Sequence, residues 1–167
     1  MSFEIERKFL IRSGAWEGLV ARTSSIRQAY LTGEGKASIR VRIKDDSSAT
    51  LSIKSRPVDL RRLELEYPVP VLDAEAMIQL RLGCVIKKTR HLVPWHDLAW
   101  EIDVFEDDNA GLVIAEIELR HERQHVELPA WIGDEVTGRP QYYNSFLVQR
   151  PFSTWPGGVE TANERLA

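Results

Sequence analysis

The 167-residue chain has one cysteine, Cys84, which excludes an internal disulfide. A lone thiol fits a reducing compartment. No run reaches the roughly 18 apolar residues that a membrane-spanning helix needs. The N-terminus shows no secretory apolar core and begins almost at once with a charged strand. A soluble, cytoplasmic protein with no membrane partner is therefore expected. The G-x-x-x-x-G-K-[ST] phosphate loop and the G-x-G-x-x-G turn are both missing, and there is no internal repeat. A net charge of −3 provides no overall basic field, so no nucleic-acid polymer is expected as a partner.

What remains is ordinary globular material, 43 % hydrophobic and 28 % charged, of a size that suits one domain. Alternating runs dominate it: 3–12, 25–31, 36–44, 49–56, 61–69, 84–93, 98–106 and 112–120. Turn signals separate them at 32–36, 44–48 and 106–111. Eight such runs predict an antiparallel barrel or sandwich. Helices are few. Ser13 is placed to cap a short one through Trp16. Asp73 is placed to cap another, with Gly83 as its C′ residue, and 141–149 has aromatics at helical spacing. The body is expected over 1–150. A polar tail follows over 151–167, pinned if anywhere by Trp155.

Side chains alternate between the faces of a strand, and these strands sort their charges by face. "FEIERKFLIR" sets Glu4, Glu6 and Lys8 on one side and Phe3, Ile5 and Phe9 on the other. Arg40 and Arg42 share a face, as do Ser52 and Lys54, Glu64 and Glu66, Lys88 and Arg90, Glu101 and Asp103, and Glu116 and Glu118. Solvated sheet faces mix signs and neutral polar residues, whereas here the like charges pair up strand by strand. The alternative is a barrel with its charged faces inward around a lumen. Burying so many charges requires ions or ligands to neutralise them. Carboxylate clusters suit a hard divalent cation such as Mg²⁺ or Mn²⁺. Clustered Arg and Lys suit phosphate oxygens.

"EIERKFL" has the E-x-E-x-K signature of the CYTH superfamily, the triphosphate tunnel metalloenzymes. "IRQAYL", "RVRI", "LSIKS", "LELEYPV", "KKTRH", "WEIDVF", "AEIEL" and "GDEVTGRPQYYNSFL" resemble further blocks of its short bacterial members, in order, over roughly 3–148. The resemblance implies an α+β, mainly β fold: an eight-stranded antiparallel closed barrel with a charged lumen and helices packed outside. It also implies hydrolysis of inorganic tripolyphosphate with Mg²⁺ or Mn²⁺. Thiamine triphosphatase, an adenylate cyclase of the same fold and a non-catalytic polyphosphate- or nucleotide-binding module are the alternatives. An apolar pocket for a base or thiazole would draw on Trp95, Trp100 and Tyr142.

Carried over by motif, Glu4, Glu6, Asp103, Glu116 and Glu118 are the expected metal ligands. Lys8, Arg40, Arg42, Lys54, Lys88 and Arg90 are the expected phosphate ligands, and Glu64 and Glu66 support them. Lys8, Asp103 and Tyr30 (or Gln28) are expected at the attacking water. By strand parity Lys87, Ala29 and His91 should point away from the lumen. His121 and His125 lack a third ligand and are set aside as a zinc site.

Overall fold

The computed structural model describes residues 2–32, 35–56 and 61–157. It contains β1 (Ser2–Ile11), β2 (Arg22–Tyr30), β3 (Ala37–Lys44), β4 (Ser48–Ser55), β5 (Arg61–Val69), β6 (Leu82–Trp95), β7 (Leu98–Phe105), β8 (Val113–Glu118) and β9 (Ile132–Glu135). There are two helices, α1 (Val71–Gln79) and the single-turn α2 (Asn144–Leu147). The eight expected strands are all present, within three residues at either end. β9 is an addition.

Every pairing is antiparallel, in the order β5-β4-β3-β2-β6-β7-β8-β1. β1 then closes the ring by pairing its first residues with β5, Ser2 with Glu64 through Ile5 with Arg61. Its later residues pair with β8, Glu6 opposite Glu118 and Lys8 opposite Glu116. β1 thus serves two neighbours in succession, which gives the barrel its shear. The β3–β4 hairpin turns through Asp45 and Asp46, with φ of 52° and 49°. Aspartate tolerates this left-handed region better than most residues.

Three apolar clusters hold the barrel. Ile5, Phe9, Trp100, Ile102 and Ile117 lie on the outer face of β1, β7 and β8. They are covered by Trp16, Val126 and Trp131, with Trp100 edge-on to both Phe9 and Trp131. Ala29, Val41, Ile43 and Ala49 are covered by Ala74 and Ile78 of α1. The third cluster lies inside the barrel. Ile86, Phe105 and Ile114 pack against Leu147, Val148 and Phe152, which follow in and after α2 and stop one end. Lys87, Ala29 and His91 point away from the lumen as expected. Lys87 pairs with Asp107, Ala29 lies under α1 and His91 lies against Trp16.

Some local expectations fail. Pro70, not Asp73, precedes α1, and Asp73 sits inside the first turn. Ser13 makes no side-chain cap; the segment Gly14–Leu19 is a 3-10 helix. Gly83 lies within β6, not at a helix end, though it does take a left-handed φ of 66°. Of the 151–167 segment, Phe152 is buried and Trp155 packs on Tyr142 and Phe152. Residues 158–167 lie outside the described set. No helix among the described residues is long and apolar enough to cross a membrane.

Candidate active site

The inward faces of the strands enclose a cavity of about 850 Å³. Glu4, Glu6, Lys8, Tyr30, Arg40, Arg42, Lys54, Glu64, Glu66, Arg90, Glu116 and Glu118 all line it. Two expected residues, Lys88 and Asp103, are fully buried in the wall below it. Glu101 also lines the cavity but was not expected there as a site residue. Its alternation with Asp103 in "WEIDVF" was the available signal.

In this cavity the carboxylates and cations are paired with each other. Lys8 Nζ lies 3.2 Å from Glu6 and is hydrogen-bonded to Glu116. Lys54 Nζ lies 2.9 Å from Glu4 and 3.0 Å from Glu64. Arg40 reaches Ser52 at 3.1 Å and Glu64 at 3.6 Å. Arg90 binds Asp103 through two nitrogens at 2.7 and 2.8 Å, Glu116 at 3.1 Å, and also Glu101. Lys88 takes the second oxygen of Asp103 at 2.5 Å and rests 5.3 Å over the Phe105 ring. Both oxygens of Asp103 therefore face cations, and its place is to hold Arg90 and Lys88. Asn144 of α2, 3.4 Å from Lys88, joins this floor. Nothing in the aromatic spacing of 141–149 pointed to it.

Local fields differ from end to end. Burial opposes the charge on Glu116, yet Lys8, Arg90 and Lys88 hold its carboxyl well below the usual range. Burial and the surrounding carboxylates Glu4, Glu101, Glu6 and Glu64 push Glu118 the other way, upward. Burial lowers Arg42 to about 10, and repulsion from Arg40 and Arg90 adds to this. Burial lowers Lys88 to about 8.

Among the described residues no three carboxylates already form a metal cage. The donor chemistry nonetheless fits a divalent cation. Glu118 sits opposite Glu6 across a strand pair and is crowded by carboxylates, the environment that a hard cation relieves. The aromatics expected to form an apolar pocket are elsewhere. Trp100 is wholly buried outside the barrel, Trp95 packs beside Trp131, and Tyr142 packs on Trp155. Tyr143 and Phe146 are the aromatics that reach the cavity alongside Tyr30.

A closed antiparallel barrel whose interior sets cations beside carboxylates is a tunnel suited in charge to a polyanion and a divalent cation. The CYTH domain model matches residues 2–145, and the chain belongs to that family. It is 40 % identical over 156 residues to the inorganic triphosphatase of Acetivibrio thermocellus, covering 93 % of this chain and 99 % of that protein. The solved structure of the inorganic triphosphatase NE1496 matches with a TM-score of 0.66 at 29 % identity, over 94 % of this chain and 99 % of that one. A plant protein from Hippeastrum, described as a putative adenylyl cyclase with dominant triphosphatase activity, shares the fold. Its TM-score is 0.56 at 17 % identity, over 71 % of this chain and 80 % of that one.

Proposed function

We propose that this chain hydrolyses inorganic tripolyphosphate to pyrophosphate and phosphate with Mg²⁺ or Mn²⁺ inside the barrel. One observation carries the reading. Cations suited to phosphate oxygens and carboxylates suited to a divalent ion line a single cavity. The two triphosphatases similar over nearly the whole chain support the substrate.

Glu4, Glu6 and Glu118 would hold the metal, with Glu116 next to them. The bound ion would supply charge neutralisation and Lewis-acid polarisation of the phosphate oxygens. The chain's own residues do the rest. Arg40, Lys54, Lys8 and Arg90 exchange their carboxylate partners for phosphate oxygens, Arg42 offers its terminal nitrogens, and together they stretch the substrate along the tunnel. Asp103 and Lys88 fix Arg90 from below. A water in line with a terminal phosphorus attacks it and gives its proton to a carboxylate of the acidic set, while the bridging P–O bond breaks and pyrophosphate leaves. Tyr30 and Lys8 are the donors at hand to orient it. No covalent nucleophile is required.

The test is phosphate release from tripolyphosphate with EDTA, Mg²⁺ or Mn²⁺, with ATP and thiamine triphosphate as competing substrates. Cation-dependent release, fastest from tripolyphosphate, is expected. No release under either cation, or a preference for ATP, would overturn the reading.

A further inference from the structure

Arg42 differs from most cations of the wall. Lys8, Arg40, Lys54, Lys88 and Arg90 each lie within 4.0 Å of a carboxylate. Among the described residues Arg42 has no such partner. Its polar contact is a hydrogen bond from Nε to Oε1 of Gln28, 3.1 Å long. That bond engages the flank of the guanidinium with a neutral acceptor. Neither terminal nitrogen, Nη1 nor Nη2, has an acceptor among the described residues, and Arg42 lines the cavity.

Gln28 faces Arg42 directly across the β2–β3 pair and is fully buried. Its amide nitrogen Nε2 has no hydrogen-bond partner among the described residues. The amide therefore has half its capacity unused, and the half in use is the oxygen that accepts from Arg42. The reason for glutamine at 28 lies with Arg42. A carboxylate at this position would neutralise the guanidinium, and an apolar side chain would free it to swing.

We propose that Gln28 is a positioning residue that holds the Arg42 guanidinium end-on to the cavity, so that Nη1 and Nη2 take two oxygens of one phosphate of a linear polyphosphate. This rests on the polyphosphate reading above and adds to it what orients one phosphate ligand. End-on pairing is what remains to a guanidinium whose Nε is already engaged.

The test compares wild type with Gln28→Met, nearly isosteric but without the acceptor, and Gln28→Glu, which supplies a carboxylate. Three quantities are measured: kcat and KM for tripolyphosphate with Mg²⁺, calorimetric affinity for tripolyphosphate in EDTA, and unliganded melting temperature. Gln28→Met should remain folded and melt only modestly below wild type, since it fills the same space but removes one acceptor from Arg42. Its KM should rise about tenfold, the weight of a charge-assisted contact, with kcat within about twofold, and its metal-free affinity should fall by the same factor. Gln28→Glu should lose more affinity while remaining folded. Unchanged KM and affinity in both variants would overturn the inference. So would a Met variant that melts far below wild type with kcat reduced and KM intact, because that marks a packing role. Wild type that binds tripolyphosphate without hydrolysing it would remove the hydrolytic reading, and the titrations would still decide on Gln28. Wild type that neither hydrolyses nor binds tripolyphosphate, with or without Mg²⁺, would overturn both.

Discussion

The buried trio of Lys88, Asp103 and Arg90 shows how differently neighbouring charges weigh on the fold. Asp103 satisfies two cations at once. Asp103→Asn would leave both beside a neutral partner, and breaking a buried pair in this way costs about 3–5 kcal/mol. Lys88→Met instead removes a charge that burial already disfavours, and Asp103 keeps its two bonds to Arg90. Asp103→Asn should therefore lower the melting temperature more than Lys88→Met. The pH dependence has a definite sign. Lys88 falls from its ordinary 10.5 to about 8 in the fold, so the unfolded chain binds the extra proton between those values. Stability thus rises with pH across that window. Wild type should gain on Lys88→Met from about pH 8 to 10.5 in paired denaturant titrations; a flat or falling difference would contradict the assignment.

Strand parity made most of the site legible, because a period of two assigns every side chain to one face and the faces carried opposite chemistry. That is why Glu4, Glu6, Arg40, Arg42, Lys54 and Glu118 were readable before any coordinates. Parity does not report depth. It set Asp103 beside Glu101 and Lys88 beside Arg90, yet in each pair one member lines the cavity and the other lies beneath it. Depth depends on the shear created where β1 leaves β5 for β8, a long-range pairing with no local signal. α2 was equally hard to place, since a four-residue turn has too little periodicity to show which end of the barrel it closes.

Gly83 fixes that closure. With φ at 66°, an added Cβ would strike the backbone carbonyl of Val148, and the neighbouring Cys84 N–H donates to that same carbonyl at 2.8 Å. Gly83→Ala must strain β6 or displace the segment after α2, at a cost on the order of 1–3 kcal/mol. Asn144 and Phe146 would move with it. The expected result is a lower melting temperature together with a raised KM for tripolyphosphate. A stability loss with KM unchanged would show that the plug does not shape the tunnel.

At the scale of the whole molecule the cavity is close to electrically balanced. Among the described residues seven carboxylates and six cations line it, one excess negative charge between them. A polyphosphate entering alone meets little net attraction and must part Lys8, Lys54 and Arg90 from their carboxylates. The carboxylates so released then need a cation of their own. A divalent ion entering alone faces the reverse problem, since the lysines and arginines it displaces need an anion. Each ligand therefore prepares the place of the other, and by linkage the coupling is the same in both directions. Melting temperatures with Mg²⁺ alone, with the non-hydrolysable imido analogue of tripolyphosphate alone, and with both should show a joint rise larger than the sum of the two. Coupling of this kind is typically about 1–3 kcal/mol. Glu118→Gln should melt above wild type without ligands, because it relieves the repulsion from Glu4, Glu6, Glu64 and Glu101 that raises the native carboxyl. The same substitution should abolish the extra joint rise. Strictly additive shifts in wild type would mean that anion and cation bind at separate places, and the shared tunnel would no longer explain why the two sets of charges face each other.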